Sequence, residues 1–543
     1  MVEENQTVEE LLLQALELVP TALAKARTAK GFTTRWRVII TRLEKIPTCL
    51  SDLSSHPCFS KNTLCREQLQ SVLQTLKESI ELVCVQEKQR EGKLKMQSDL
   101  DSLSSKIDLT LRDCGLLMKT GVLSEVTPTP QQQQQDSETF SVRELLARLQ
   151  IGHSESKRKA LEQLVEVMKD DEKAVITAIG RTNVASLVQL LTSPSARENA
   201  ASVICSLAES GGCESWLLSE NALPPLIRLL ESGTPLAKEK AVISLQRLSF
   251  SSSETSRAIV GHGGVGPLIE LCKTGDSVSQ AASASTLKNI SSVPEARHSL
   301  AEEGIVKAMI DVLSCGILLG SKEYAAECLQ HLTSSNEALR RSVVSENGIQ
   351  TLLAYLDGPL PQESGVSAIR NLVNSVPPEA YDKIVHGLVH VLRAGSTGAQ
   401  QAAASTICRM ATSNETKRMI GESGCIPLLV RLLEAKGGGA REVAAQAIAS
   451  LVTVPRNCRE VKREEKSVAS LVMLLEPSPS NSAKKYAVSC LAAVCSSRKC
   501  RKLMVSHGAV GYLKKLAEME VPGSRKLLER IEKGRLKSFF SRK

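Results

Sequence analysis

Aromatic side chains make up only 2% of this 543-residue chain. Its apolar content is aliphatic and alanine-rich instead, and alanine is the best helix former and lets helices approach closely, so an all-α fold is expected. No apolar run approaches the roughly 20 residues that a membrane-spanning helix needs. The opening Met1-Val2-Glu3-Glu4 lacks the basic-then-apolar pattern of a secretory leader, and Val2 stands where N-myristoylation requires glycine. The 16 cysteines are scattered. Cys205, Cys272, Cys328 and Cys408 sit in apolar helical stretches, and Cys490, Cys495 and Cys500 form no CxxC pair or Cys/His cluster. They read as buried thiols in a reducing compartment. The eight histidines do not cluster, and no Ser/His/Asp or Cys/His arrangement has a supporting motif. The expectation is therefore a non-enzymatic cytoplasmic or nuclear protein with no metal, no cofactor and no small-molecule substrate.

Charge is unevenly placed. The formal net charge is +9, yet residues 484–543 alone carry 16 Lys/Arg against four Glu, leaving the rest close to neutral. Leu527, Leu528 and Ile531 form a short apolar stripe that predicts a capping helix, with Gly534 as an interruption. Beyond it, Arg535, Lys537, Phe539, Phe540, Arg542 and Lys543 are candidates for contact with an acidic partner or an anionic membrane surface. Nucleic acid is not expected, because no aromatic platform or reader motif is present.

The most informative positive feature is a repeat. The run Gly263-Gly264-Val265-Gly266-Pro267-Leu268-Ile269 has relatives at Asn221–Ile227, Gly424–Val430 and Gly508–Leu513. Equivalent anchors are Leu187, Leu226, Leu268, Met309, Leu352, Leu388, Leu429, Leu471 and Leu513, at intervals of 36 to 43 residues. A period near 42 with helical texture predicts a stacked solenoid. Each unit reads as a short first helix, a second helix with proline near its start (Pro225, Pro267, Pro427), and an alanine-rich third helix. Glycines 263, 304, 348, 387, 424 and 508 are predicted to take the sharp turn between first and second helices with positive φ. Gly261, Gly263 and Gly266 formally match a dinucleotide fingerprint, but a helix precedes them and the glycines recur with the repeat, so they are read as a turn. The 36-residue interval at Leu388 and the stretch Lys462–Lys466, which replaces the turn glycine, predict a shortened and a charged loop.

Four segments follow. Residues 1–124 lack the period and read as a helical bundle, with Leu69, Val72, Leu73, Leu76, Ile80 and Val83 on one helix face. Residues 125–140, with five consecutive glutamines after proline, read as a flexible linker. Residues 141–520 hold about nine repeats, and residues 521–543 a basic capping helix and tail.

Spacing, turn glycine, proline and alanine positions together resemble the armadillo (ARM) repeat family over about residues 141–520. The resemblance implies a right-handed α-solenoid whose third helices line a concave groove for peptides or helices of partner proteins. Bundle followed by array is similar to plant ARM proteins related to the U-box ubiquitin ligases. Only the Gln-rich linker stands where a U-box belongs, so ligase activity is not implied. ARM peptide binders carry asparagine near the end of the third helix. The equivalent positions include Arg247, Asn289, His331, Asn371 and Arg409, which are taken as the candidate partner-binding groove. Ser285 and Ser367 occupy the place where import carriers have tryptophan, so recognition of basic import signals is not implied, and an acidic or mixed peptide suits the row better. The function implied is a protein-interaction scaffold or adaptor. The alternatives are an accessory role in ubiquitination without ligase activity and a peripheral membrane organiser using the basic end.

Overall fold

The structure is a computed structural model and describes residues 6–87, 92–119, 123, 133–151, 154–359 and 361–540. Among these residues every regular element is a helix. The chain divides into two compact units, residues 1–244 and 245–543.

The first unit opens with five bundle helices, Val8–Thr28, Thr33–Leu43, Ile46–Ser54, Thr63–Glu87 and Lys93–Lys119. The first begins at a capping box, in which the Thr7 hydroxyl accepts from the Glu10 amide and the Glu10 carboxylate accepts from the Thr7 amide. Pro20 lies inside this helix without ending it. The turn that follows is tied to the fourth helix through Gln86. Its side-chain oxygen accepts from Trp36 Nε1 at 2.8 Å, and its Nε2 donates to the Lys30 carbonyl at 2.6 Å. Leu69, Val72, Leu76 and Val83 are buried, as their spacing predicts.

The segment read as a linker divides. Residues 125–132, with Gln131 and Gln132, lie outside the described residues, whereas Gln133–Gln135 begin a helix that runs Gln133–Gln150. The far end of that helix packs on the bundle. Ala147 and Ile151 belong to the bundle's own apolar core. The Thr63 hydroxyl donates to Glu144 at 2.7 Å, and Arg148 pairs with Glu67 at 3.0 Å. The expected domain boundary at residue 141 is thus bridged by shared core, and the first unit also holds the early repeat helices through residue 244.

The repeat register is correct throughout. All nine anchors, from Leu187 to Leu513, are fully buried. In the second unit the third helices are Ser277–Ser291, Leu319–Ser335, Glu363–Leu372, Thr397–Met410, Gly438–Leu451 and Lys484–Val494, each packed against the next. Their touching faces are small: Ala284, Ala326, Ala368, Ala404 and Ala445 are completely buried, which allows close backbone approach. Polar carbonyls at third-helix ends are met by the following element. Arg297, Arg340 and Arg501 donate to the carbonyls of Ser291, Thr333 and Cys495 at 2.9, 3.0 and 2.6 Å.

The turns correct part of the glycine reading. Gly263, Gly304, Gly424 and Gly508 have φ between +76° and +80°. At the next unit it is Asn347, not Gly348, that adopts the left-handed conformation, with φ +65°. Asparagine is among the few side chains that tolerate it. Gly387 occupies no turn at all: it lies within the single helix Tyr381–Ala394, which replaces the usual first and second helices in the shortened unit. A Cβ there would stand 2.8 Å from Leu353 Cδ2, so close packing, not backbone conformation, opposes a side chain, and Leu353 must shift to admit one. Of the charged stretch Lys462–Lys466, Lys462 and Arg463 end the helix Pro455–Arg463, and Glu464, Glu465 and Lys466 form the loop before helix Ser467–Met473. The Ser467 hydroxyl lies 2.7 and 2.8 Å from the carbonyls of Val461 and Glu464 and holds it without glycine.

The last helix, Ser524–Phe540, buries Leu527 and Ile531 against the final repeat, and Gly534 lies inside it instead of interrupting it.

Candidate functional site

The five groove candidates all belong to the second unit and sit at or near the C-terminal ends of successive third helices. The structure separates them into two kinds. Asn289 is buried, and its Nδ2 donates to the Ser249 hydroxyl at 2.9 Å. His331 is half-buried, with Nδ1 3.1 Å from the Ser291 hydroxyl. Asn371 is half-buried, and its Nδ2 lies 3.2 Å from both the Gln330 carbonyl and the Thr333 hydroxyl. Each of these side chains reaches back to the preceding third helix. Ser450 continues the pattern, donating to the Ala411 carbonyl at 3.5 Å. The result is a polar ladder between repeats, in which both asparagine amides donate to the preceding third helix. Arg247 and Arg409, by contrast, are exposed.

Burial, the largest influence on His331, holds its imidazole below the ordinary value; the charge of Arg297 acts in the same direction, while a hydrogen bond to the Lys288 backbone opposes it. Two further cations, which the asparagine alignment overlooks, stand at the same helix ends. Lys288 and Arg370 immediately precede Asn289 and Asn371. Lys288 Nζ stands 5.6 Å from the centre of the Tyr324 ring and 3.5 Å from a Glu327 oxygen, which fixes its position. Arg370 is half-buried. The signal for both was available in the sequence, as a cation one residue before the aligned position.

Phe250, 81% exposed, projects near the end of the helix that carries Arg247. Among the described residues no group of His, Cys, Asp and Glu is placed to hold a metal ion, and no helix is long and apolar enough to cross a membrane. The 16 cysteines are free thiols. Burial pushes that of Cys328 up to about 12, far from the reactive range. Of the tail candidates, Arg535, Lys537, Phe539 and Phe540 fall within the last helix, while Arg542 and Lys543 lie outside the described residues.

Stacked three-helix units with a buried anchor in every second helix define an α-solenoid. Comparison with known proteins identifies the units: the family described as Armadillo/beta-catenin-like repeat matches residues 252–292. The chain therefore contains an armadillo repeat within a solenoid of like units. A second family, described only as a domain of unknown function (DUF7032), matches residues 13–122, the bundle. Among similar sequences, Vacuolar protein 8 of Schizosaccharomyces pombe is 26% identical over 26% of this chain and 26% of its own length. U-box domain-containing protein 17 of Arabidopsis thaliana is 32% identical over 26% of this chain and 19% of its own. Protein CELLULOSE SYNTHASE INTERACTIVE 3 of Arabidopsis thaliana is 24% identical over 54% of this chain and 14% of its own. The chain thus spans well under half the length of each of these relatives. Among solved structures, an engineered protein superposes with a TM-score of 0.60 at 26% identity, covering 73% of this chain and 98% of its own. A structure from work on a phosphorylation switch in the cadherin and beta-catenin interaction superposes with a TM-score of 0.59 at 16% identity, covering 71% of this chain and 78% of its own. That likeness concerns the fold.

Proposed function

We propose that this protein is a non-enzymatic interaction scaffold that captures an acidic or mixed peptide segment of a partner along the third helices of its second unit. The observation that carries this reading is a set of cations near the ends of four third helices, Arg247, Lys288, Arg370 and Arg409, with His331 on the helix between Lys288 and Arg370. Guanidinium and ammonium groups so placed favour carboxylates. The ladder beneath them supports the reading in a second way. With the amides of Asn289 and Asn371 turned toward neighbouring repeats, specificity falls to the charged side chains and not to pairing with an extended peptide backbone.

The test is selection of a displayed library of acidic, neutral and basic peptides on the full chain. Acidic sequences should be enriched, and Arg370→Glu with Arg409→Glu should abolish the enrichment. Enrichment of basic peptides, or indifference to the double substitution, would reject the reading.

A further inference from the structure

The bundle holds a groove of its own, on a face that the array reading does not use. It runs between helices Thr63–Glu87 and Lys93–Lys119 as two neighbouring clefts of about 220 and about 250 Å³ whose linings share Glu78 and Lys106. Among the described residues, none of the first three bundle helices lines it, and Ile151 and Ser156 reach it from elsewhere. From Leu64 to Val85 it extends over about 30 Å, the length of some five to six helical turns.

Three features define what fits. The floor is small and polar but internally satisfied: the Thr75 and Thr110 hydroxyls donate at 2.8 Å to the carbonyls of Ser71 and Lys106 in their own helices, and Gln68 Nε2 donates to the Thr110 carbonyl at 3.0 Å. A ligand therefore needs no polar group there. Both ends are apolar, with Leu64, Leu109 and Ile151 at one and Leu82, Val85 and Leu103 at the other. The walls are acidic. Among the described lining residues, Glu67, Glu78, Glu81, Asp99 and Asp113 stand against one base, Lys106, which Glu78 already holds at 2.7 Å, while Lys157 lies close to Asp113. Arg148 and Arg112 meet Glu67 and Asp113 at 3.0 and 3.3 Å, while Glu81 and Asp99 hold no ion pair among the described residues.

We propose that this groove docks a basic amphipathic helix of a partner protein, with apolar side chains seated at its two ends and Lys or Arg side chains meeting the acidic walls, foremost Glu81 and Asp99. An apolar stripe flanked by cations matches both the shape and the sign of the surface. The bundle is then a second docking module, separate from the cationic row of the array and selecting the opposite charge.

The experiment uses the full chain and two labelled synthetic peptides of about 18 residues, one of leucine and lysine and one of leucine and glutamate in the same amphipathic order. Fluorescence anisotropy should show the Leu/Lys peptide binding with an affinity that falls as salt rises, while any binding of the Leu/Glu peptide belongs to the cationic row of the array and should be unchanged by substitutions in the groove. Glu81→Lys with Asp99→Lys should weaken binding by about tenfold or more. Ser71→Trp, which fills the groove without changing its charge, should weaken it as well. A control, Glu465→Lys with Glu518→Lys in the second unit, should bind like the parent, and circular dichroism melts should show all variants folded. Parental affinity for the Leu/Lys peptide in the groove variant, equal losses in groove and control variants, or an equal loss of both peptides in the groove variant would overturn the proposal.

Discussion

Asn289 Nδ2 donates to the Ser249 hydroxyl at 2.9 Å across a sequence separation of 40 residues. One side chain thereby joins two consecutive third helices at the end where the cationic row stands. The asparagine that the repeat alignment marks as a ligand-binding group is, in this chain, a fastening between repeats.

Its removal should therefore affect stability first. Asn289→Ala strips a partner from the buried end of the stack and should lower the unfolding free energy by about 1–2 kcal/mol. Asn371→Ala, at a half-buried site, should cost less. Urea denaturation with both variants checks this. Unchanged stability in Asn289→Ala, with weakened capture of selected peptides, would return the residue to a ligand-binding role.

Charge reversal in the row should do the opposite. Arg409→Glu removes an exposed cation that holds no ion pair among the described residues, so the melting temperature should stay close to that of the parent. Binding of an acidic peptide should weaken by about tenfold. A calorimetric titration reports the second effect and a thermal melt the first.

His331 provides a pH handle. Burial holds its imidazole below the ordinary value in the folded chain, whereas the unfolded chain titrates near 6.5. As pH falls through that range the unfolded state binds more protons than the folded state, so folding loses stability toward acid. His331→Gln cannot titrate. The stability of the parent relative to this variant should therefore decline between about pH 7.5 and about pH 5. Parallel curves over that range would exclude His331 as the titrating group.

Two glycines should fail for different reasons. Gly424 has φ +80° and open space around it, so Gly424→Ala should cost about 1–2 kcal/mol through backbone conformation, and Gly424→Asn should recover part of the loss. Gly387→Ala meets Leu353 Cδ2 instead, so Gly387→Ala should be rescued by Leu353→Ala and not by asparagine at position 387. Melting temperatures of the single and paired variants distinguish the two causes.

The anchors test the stack as a whole. Leu268 and Leu429 are fully buried, and replacing either by alanine should cost about 2–5 kcal/mol. A cost below about 1 kcal/mol would mean that the second helix is not the spine of its repeat.

Periodicity carried the array. A leucine that must be buried in every unit returns at a near-constant interval, and alanine marks the helix faces that touch, so the repeat, the second-helix anchors and the all-α class can be read along the chain. The left-handed turns at Gly263 and Gly424 are legible for the same local reason, since few other residues tolerate that backbone. What could not be read depends on pairs remote in sequence. Whether Asn289 faces a ligand or Ser249 is decided by the stagger of two helices 40 residues apart. Whether Ile151 starts an array or closes a bundle core is decided by where its helix lands after the Gln-rich stretch. The groove beside Glu81 and Asp99 arises only when two helices bring their acidic flanks together. A side chain's residue type sets what it can bond, but which group lies opposite it is a property of packing, and that is where the candidate sites of this protein were decided.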